Sequence, residues 1–530
     1  MKRRRLLTCF SLGAVLLGLV LAPCLRGQAT FGNLIGTVTD PAGAVVVGTK
    51  ITITSAERGT VQSRTSNESG NYIQTHLDPG KYTVEFETQG FQRLVRKEVE
   101  ISIDRSTRLD VQLVVGEITQ QISVTGAAPA LVTDRAEVGV TLSQKQVEDL
   151  PILNRNLTSL QLLLPGAQKS PWQHATSENP QGGIQIHNNG QEFGSTNFTM
   201  DGMDNNDPVL GIIIINPTVD SVAEMKQTTG NFDAEFAQAG GVVIQVETKS
   251  GRNELHGSLF EYLQNDVFNA RNSFSEPTGP PPLRWNQFGG SLGGPIAKNK
   301  LFFFGDYQGT RRRTGASLLT TVPTDAVRNG DFSAFNVPIF DPLTGNANGE
   351  GRTQFAGNVI PSNRISPQAR NLLNLLPSPN AGASGALNNN FTASGSEKFD
   401  SDQFSAKVDH YLSDAWKYFV RYTYADFDKL SPPAFGPDAG GPALSGLGFA
   451  GTSVTRNQNL VGSVNHIFNP TLLADFRAGF SRYRVNVLPL DFGSNAGEKA
   501  GIPGAPINTL PDVLAEPQTL LAPKSRRQAG

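Results

Sequence analysis

The chain has 530 residues and a net charge of -2, and 38% of its residues are hydrophobic, including 30 phenylalanines. A chain of this length is too long for one hydrophobic core, so several domains are expected. The near-zero net charge gives no electrostatic basis for nucleic-acid binding. With 55 glycines and only 4 methionines, the composition suits β structure that is rich in turns.

Residues 1–29 have the pattern of a cleaved secretory signal. Basic residues 2–5 precede an apolar run at 12–21 that is too short to span a membrane, and Ala29 is the predicted cleavage position. Both cysteines, Cys9 and Cys24, lie inside this segment, so the exported chain would carry no thiol. A lipid anchor on Cys24 is an alternative that fits poorly, because a proline directly precedes the cysteine.

Residues 30–116 form short alternating segments that are separated by turn residues. The segment KITIT at 50–54 alternates cleanly, and DPAG at 40–43 and NESGN at 67–71 are turn sequences. Several strands at this spacing predict a small β-sandwich.

Three motifs in this unit resemble the carboxypeptidase regulatory-like domain: SGNY at 69–72, LDPGKY at 77–82 and GF at 90–91. The resemblance implies a transthyretin-like sandwich, which is grouped by fold with carbohydrate-binding modules. It does not imply peptidase activity, since the chain contains no zinc-binding His-x-x-Glu pair.

Residues 134–250 combine helical and strand patterns. Ser143 can cap a helix that runs to Asp149 and is stopped by Pro151. Leucines at helical spacing within 157–164 predict a second helix. Strand patterns follow at 184–186, 197–200, 219–226 and 241–248. The segment therefore predicts a compact α+β unit.

Residues 251–487 contain about seven strands of the kind that outer-membrane β-barrels use. In the segment 416–427, aromatic and aliphatic side chains alternate with polar ones such as Lys417 and Arg421, and 472–483 repeats this alternation. Short turns at 297–300, 412–415 and 469–471 alternate with long connections at 267–283, 314–398 and 428–455. Short turns at one end and long loops at the other are typical of a membrane barrel.

The order of these units and four motifs identify a family resemblance. The motifs are LPILNRNLTSLQLLLPGA, NNGQEFGSTNFTMDGMDNND, TTGNFDAEFAQAGGVVIQVETKSGRNELHGSLFEY and LRWNQFGGSLGGPIAKNKLFFFGDYQGTR. They resemble TonB-dependent outer-membrane receptors, and specifically the Oar-like group, in which a carboxypeptidase regulatory-like domain precedes the plug. The resemblance implies a plug domain inside a barrel of about 22 strands, with uptake energised by an inner-membrane TonB-type protein.

That partner would pull on a short extended segment before the plug, the TonB box, by adding a strand to its own sheet. The candidate is Glu117, Ile118, Thr119, Gln120, Gln121, Ile122, Ser123, Val124 and Thr125. The alternative is that these residues form a last sandwich strand and a linker. The candidate ligand-facing residues of the plug loops are Asn188, Asn189, Gln191, Asp201, Asp204, Asn205 and Asp207.

Catalytic and cofactor motifs do not accompany these units. The acidic run around Asp204 lacks the ligand order of an EF-hand and fits turn capping better than calcium binding. The G-x-G-x-x-G match at 446–451 lacks its strand-turn-helix context. Arg311, Arg312 and Arg313 form a solvated strand end or a contact with anionic lipopolysaccharide. We predict no enzyme, no cofactor and no metal site.

The sequence thus predicts a mainly β protein in a fixed order of segments. These are a signal peptide (1–29), a transthyretin-like β-sandwich (30–116), a connector (117–133), an α+β plug (134–250), the first strands of an antiparallel transmembrane barrel (251–487) and an irregular tail (488–530). Seven strands, an odd number, and a tail without a terminal aromatic strand predict a truncated or frameshifted product.

The predicted function is energised uptake of an unidentified ligand across the outer membrane. The predicted partners are the TonB-type protein, outer-membrane lipid, the barrel-assembly machinery and a carbohydrate or peptide ligand. The alternative is a cell-surface or periplasmic module that binds carbohydrate or has a structural role, without transport.

Overall fold

The computed structural model describes residues 30–117, 121–125, 136–171, 184–236, 239–270, 282–445, 450–469 and 472–502. The predicted signal segment with Ala29, the residues Ile118, Thr119 and Gln120 of the TonB-box candidate, and the predicted tail beyond 502 lie outside these ranges. No helix among the described residues is long and apolar enough to cross a membrane.

The N-terminal sandwich consists of two sheets. Its strands are β1 (Gly32–Thr39), β2 (Lys50–Ser55), β3 (Val61–Thr65), β4 (Asn71–Leu77), β5 (Gly80–Glu87), β6 (Arg93–Ile101), β7 (Ser106–Arg108), β8 (Val111–Gln112) and β9 (Gln121–Thr125). One sheet has the order β3-β2-β5-β6-β9, and in the other β1 pairs with β4, β7 and β8. Alternate residues of the strands face the space between the sheets, where Leu34, Ile51, Val84 and Phe86 are fully buried.

The central unit (residues 136–250) is built on a five-stranded sheet of order β10-β15-β16-β13-β14. Its strands are β10 (Val138–Ser143), β11 (Ala167–Lys169), β12 (Ile186–Asn188), β13 (Asn197–Met200), β14 (Met203–Asp204), β15 (Val222–Gly230) and β16 (Val243–Thr248). Strands β11 and β12 pair separately. Short 3-10 helices span Leu153–Arg155, Leu157–Leu163, Phe193–Ser195, Val219–Ser221 and Ala234–Phe236.

The helix predicted after Ser143 is present as α1 (Gln144–Asp149), and the Gln146 side chain accepts the Ser143 backbone N–H at 2.9 Å. The second predicted helix differs, because its leucine segment forms a 3-10 helix, Leu157–Leu163. The Asn156 side chain caps this helix by accepting the Thr158 N–H at 3.0 Å. Leucine spacing of three and four residues fits both helix types, so the sequence pattern could not separate them.

Residues 256–489 supply a seven-stranded sheet in which every strand pairs with the next one in an antiparallel ladder. The strands are β17 (His256–Asn265), β18 (Leu283–Ala297), β19 (Leu301–Thr320), β20 (Phe391–Ser413), β21 (Trp416–Ser431), β22 (Gly451–Asn469) and β23 (Leu472–Pro489). This confirms the expected number of strands and the meander of the membrane-barrel pattern.

The two faces of this sheet have opposite polarity. On β21 the side chains of Phe419, Arg421 and Thr423 are buried against the central unit, whereas Val420 on the other face is 51% exposed. We call the first the inner face and the second the outer face. The outer face also carries Phe476 and Phe480, which are 59% and 62% exposed. An apolar outer face and a polar inner face are expected of a barrel in lipid.

The connections alternate in length, as expected from the sequence. Residues 298–300 and 414–415 join strands at one end of the sheet, here called the short-turn end. The long connection between β19 and β20 contains α2 (Asp325–Arg328), α3 (Pro367–Leu375) and 3-10 turns at Ala356–Asn358 and Ser362–Arg364. After β23 comes α4 (Ala496–Lys499), and another 3-10 turn, Asp266–Phe268, follows β17. The long connections lie at the opposite, long-loop end.

Candidate functional site

The central unit contacts the inner face through hydrogen bonds between side chains and backbone. Asn457 Nδ2 donates to the Ile214 carbonyl at 2.7 Å, and Thr218 Oγ1 donates to Asp306 Oδ2 at 2.7 Å. When such a hydrogen bond is exchanged for a hydrogen bond to water, the free energy changes only slightly, because the net contribution of one hydrogen bond to stability is small. The central unit is therefore held by interactions that can be broken and remade.

A fully buried electrostatic contact between the central unit and the sheet is centred on Asp201. This carboxylate is fully buried and pairs with Arg421, also fully buried, and with Lys407 at 3.4 Å. It also accepts the Thr248 N–H at 2.9 Å. Burial raises the pKa of Asp201, but Lys407 and Arg421 outweigh it and hold that pKa well below its usual range. Asp201 thus joins the central unit to the sheet through buried ion pairs with Arg421 and Lys407, and we call this cluster the Asp201 pin.

A second carboxyl lies beside this pin. Glu247 is 8% exposed, and burial together with the neighbouring Asp201 charge raises its pKa well above the usual value. Two carboxyls that share two cations need not both ionise, so Glu247 can keep its proton and bond to Asp201 as an acid.

The sandwich is attached to the short-turn end of the sheet by another buried charge cluster. Asp78 forms an ion pair with Lys417 of β21 and lies 3.4 Å from Arg58 of its own domain. The Tyr411 hydroxyl of β20 also donates to Asp78. Burial raises the pKa of Asp78, but Lys417 and Arg58 outweigh it and lower that pKa below the ordinary range.

The sandwich also contacts the central unit directly. Lys226 Nζ lies 2.8 Å from Asp104 Oδ2, and Glu224 Oε2 accepts the Ile103 N–H at 2.8 Å. Burial raises the pKa of Glu224 to about 7. Both contacts place ionisable groups between two folded units, where they have lost most of their solvent.

The described part of the TonB-box candidate forms β9. Its residues Gln121 to Thr125 pair in parallel with Arg93 to Lys97 of β6, and β9 is the last strand of that sheet. This is the arrangement that the alternative, a last sandwich strand, predicts. Glu117 is exposed and precedes the strand. Among the described residues, no strand pairs with β9 on the side opposite β6, so within that part of the chain β9 is an edge strand.

The predicted ligand-facing residues fall into two groups. Asp201 and Asn205 are in the interior, and Asn205 is fixed by bonds to the Ile215 N–H and carbonyl at 3.1 and 2.8 Å. Asn188 is also buried, whereas Asn189, Gln191 and Asp204 are exposed. The Asp207 side chain is buried, and it accepts the Leu210 N–H at 2.7 Å.

The loop 204–211 lies farther toward the long-loop end of the sheet than Asp201 does. Asp201 contacts Arg421, which is near the Trp416 end of β21 beside the short turns. Ile214 contacts Asn457, which is closer to the Gly451 end of β22 and to the long connections. The loop 204–211 is therefore directed away from the sandwich.

The alternation along 416–427 predicted Arg421 on the polar face of a barrel strand but gave it no partner, and Lys407 was not singled out. A charged residue on the polar face of an otherwise apolar strand was the available signal. Asp78 and Glu247 carried no signal, because a turn aspartate and a strand glutamate are common on exposed surfaces. Asp78 acquires its role through Lys417, 339 positions away, and Glu247 through Asp201 and Lys407.

One group of three carboxylates among the described residues lies within metal-ligand distance: Asp104, Asp233 and Glu235. Asp104 of this group already forms an ion pair with Lys226. Acidic clusters of this kind are common without a metal.

Residues 247–522 match the model of the outer membrane beta barrel domain, and residues 33–114 match the carboxypeptidase regulatory-like domain. The first match spans more than half of the chain, so the chain belongs to the outer-membrane β-barrel family. The resemblance to the Oar group of TonB-dependent receptors is confirmed by a curated relative, the TonB-dependent transporter Oar of Myxococcus xanthus.

The chain is 30% identical to that transporter over 310 residues, which are 54% of this chain and 28% of the relative. It thus spans little more than a quarter of the relative's length. Among solved structures, the outer membrane transporter YddB of Escherichia coli matches 65% of this chain and 39% of its own, with 12% identity and a TM-score of 0.40. The ferric enterobactin receptor of Pseudomonas aeruginosa matches 65% and 44%, with 12% identity and a TM-score of 0.32.

Proposed function

We propose that the chain is part of a TonB-dependent outer-membrane receptor that takes up a ligand across the outer membrane. In this proposal residues 1–29 direct export, with cleavage after Ala29, and residues 30–116 form the periplasmic sandwich. Residues 117–133 connect it to the plug, residues 134–250 form that plug, residues 251–487 belong to the barrel, and residues 488–530 follow as an irregular tail.

The observation that carries the proposal is the polar seating of the central unit on the inner face of a membrane-type sheet. A plug must stay in place at rest and move during transport, so its contacts must be specific and reversible. The buried Asp201 pin supplies specificity, since an unpaired charge left in that position is costly. The single hydrogen bonds, such as Asn457 to Ile214, supply contacts that separate at low cost.

The proposal needs a partner that transmits force from the inner membrane. An extended segment with a free backbone edge is the form that such a partner recognises by strand addition. The strand β9 has this form, and it joins the sandwich to the plug in sequence. We therefore propose a TonB-type protein as the partner, with Glu117 to Thr125 as its contact. The barrel-assembly machinery would insert the strands, and outer-membrane lipid would surround the outer face.

The other candidate, a carbohydrate-binding module without transport, has less support. Carbohydrate recognition uses exposed aromatic rings as platforms for stacking. In the described part of the sandwich, Tyr72, Tyr82 and Phe86 are 2%, 5% and 0% exposed and belong to the core. No observation on the sandwich surface favours a glycan.

The proposal is tested by producing the chain with its own N-terminus and following it into membrane fractions. We expect the protein in the outer-membrane fraction, from which detergent but not high salt extracts it, because the outer face of its sheet is apolar. Recovery in the soluble periplasm, or extraction by high salt alone, would contradict the proposal. The matched control is the double variant Val420→Asp/Phe476→Asp, which places charges on the outer face and should move the protein out of the membrane fraction.

A further inference from the structure

Three arginines lie together on the outer face of strands β22 and β23. In the ladder between these strands Arg456 is directly opposite Arg484, and Arg482 lies two positions before Arg484 on the same face. All three residues are exposed. Like charges that face each other across a strand pair destabilise a sheet unless something else neutralises them. We call this group the arginine cluster.

The arginine cluster lies where the outer face changes from apolar to charged. Along β23 the outward side chains are apolar from Leu472 to Phe480, which is 62% exposed, and the next two are Arg482 and Arg484. Because β23 begins at the short-turn end, the two arginines lie toward the long-loop end. The apolar part of an outer face marks the hydrocarbon of the bilayer, so the cluster comes at its boundary.

Aromatic rings on the neighbouring strands mark the same boundary. Successive pairings across the sheet align Arg482 with Tyr424 of β21, and Tyr424 with Phe404 of β20 and Tyr307 of β19. Rings at the rim of the apolar band are typical of the level where hydrocarbon meets lipid headgroups. The arginine cluster is therefore at headgroup level.

Two arginines on the outer face of β19 provide a contrast, because each has an acid partner. Arg311 pairs with Asp402 at 2.9 Å, and Arg313 pairs with Asp400 at 2.6 Å. Among the described residues, no aspartate or glutamate forms a salt bridge with a member of the arginine cluster. The protein thus neutralises its outward arginines on β19 and leaves those on β22 and β23 without a counter-ion.

The acids nearest in the ladder do not balance the cluster. Asp426 is directly opposite Arg456, but its carboxylate accepts the Tyr424 hydroxyl at 2.9 Å. Asp428, the next outward residue of β21, is 3.9 Å from Lys398. One carboxylate balances at most one of three positive charges, so the arginine cluster keeps a net positive charge.

The chemistry of the complement follows from the charge and the apolar surface beside it. A guanidinium group is a planar fork of N–H donors that matches the oxygens of a phosphate. Phe480 and Leu460, which is 45% exposed, are directly opposite each other next to the cluster and match hydrocarbon chains. A molecule that satisfies both surfaces carries a phosphate group on acyl chains.

We propose that the arginine cluster is a binding site for the phosphate group of an anionic lipid in the leaflet at the long-loop end. Arg456 and Arg484 bind the phosphate oxygens, Arg482 adds positive charge, and the acyl chains lie against Phe480 and Leu460. The proposal rests on the proposed receptor function, because that function places the outer face in lipid. It also separates the cluster from Arg311 and Arg313, whose charges are already neutralised within the sheet.

The test uses the full chain, extracted from outer membranes in dodecyl maltoside, and counts retained lipid by native mass spectrometry. The probes are dioleoyl phosphatidic acid and dioleoylglycerol, which differ only in the phosphate group. Inorganic phosphate, measured by titration calorimetry, supplies the phosphate without the chains. We expect saturable retention of phosphatidic acid, little retention of dioleoylglycerol, and much weaker binding of inorganic phosphate.

Three outcomes of this test would overturn the proposal. Equal retention of the two lipids would show that the phosphate group is not recognised. No retention of phosphatidic acid would show that the cluster is only a solvated surface. Binding of inorganic phosphate as tight as that of phosphatidic acid would assign the cluster to a soluble anion instead of a lipid.

Variants locate the site on the sheet. Arg456→Gln/Arg484→Gln should weaken retention of phosphatidic acid about tenfold or more, because it removes two charges at headgroup level. The matched control, Arg311→Gln/Arg313→Gln, removes the same charge from the same face and should change retention by less than about twofold. Equal losses in the two double variants would overturn the assignment. If the first variant is not recovered from the membrane, Arg482→Gln alone replaces it, with an expected loss of about threefold.

The two proposals fail in different ways. Extraction of the chain by detergent alone, without selective retention of phosphatidic acid, would reject the lipid site and leave the receptor function standing. Recovery of the chain in the soluble periplasm would reject the receptor function and the lipid site with it.

Discussion

The outer and inner faces of the seven-stranded sheet come from the same residues in alternation, yet they are stabilised in different ways. On the outer face Val420 and Phe480 are exposed and have few protein neighbours, so their environment must be supplied by lipid. On the inner face Arg421 is fully buried and is satisfied by Asp201 of the central unit. The outer face requires only an apolar environment, whereas the inner face requires the complementary charge of the central unit.

The difference teaches where mutations should act. A substitution on the outer face changes the free energy of transfer into the membrane. The size of this change depends on the depth of the residue in the bilayer and not on a partner side chain. Substitutions on the inner face change the contact with the central unit and depend on which charge is left alone.

The largest effect is expected for Arg421→Ala. Removing the arginine leaves Asp201 with Lys407 as its remaining cation, at 3.4 Å, and should destabilise the seated central unit by about 3–5 kcal/mol. Urea unfolding in lipid vesicles measures this loss. The control Arg311→Ala removes an exposed pair with Asp402 and should cost at most about 1 kcal/mol. Equal costs for the two variants would contradict a buried pin.

The next effect is expected on the other face of the same strand. Val420→Arg places a charge in the apolar band and should cost about 2–4 kcal/mol of stability in lipid. In detergent micelles the cost should shrink, because the micelle deforms around the charge. A loss of the same size in lipid and in detergent would mean that Val420 does not face the membrane.

Glu224, which lies between the sandwich and the central unit, should make the stability of the protein depend on pH. Its folded pKa of about 7 exceeds the ordinary glutamate value of 4.5, so the folded state holds an extra proton between those pH values. Stability from this group is therefore full below about pH 4.5 and is lost as pH rises toward 7, by about 2–3 kcal/mol. Glu224→Gln should remove this pH dependence. A wild-type protein whose stability rises with pH across that window, relative to the variant, would show the opposite sign.

The last prediction concerns the junction of sandwich and sheet, and its readout is local detachment. Asp78→Asn weakens the pair with Lys417 but keeps a hydrogen-bond acceptor beside Tyr411. We expect the sandwich to remain folded and to detach more readily, seen as faster proteolysis between residues 117 and 136. Unchanged cleavage kinetics, with Asp40→Asn as the control on an exposed sandwich turn, would remove the junction from the account.

The sequence was sufficient to predict the sheet but not its contacts. Period-two alternation along 416–427 assigns each side chain to a face, because a strand offers only two. The motifs also placed the sandwich and the α+β unit in the correct order. The Asp201 and Asp78 clusters could not be predicted, since each joins residues more than two hundred positions apart and depends on how separately folded units meet. The 3-10 form of Leu157–Leu163 could not be predicted either, because the leucine spacing fits both helix types.

The central claim, that the unit 136–250 is seated on the inner face of the sheet, is tested most directly by a disulfide. A Cβ placed at Gly479 would lie 3.1 Å from Met203 Cγ, which suits a bond between cysteines at the two positions. We predict that Met203→Cys/Gly479→Cys cross-links in the outer membrane, whereas Met203→Cys/Ala478→Cys, with its second cysteine on the outer face, does not. A membrane-inserted protein in which the first pair stays reduced, or in which both pairs form equally, would contradict the account.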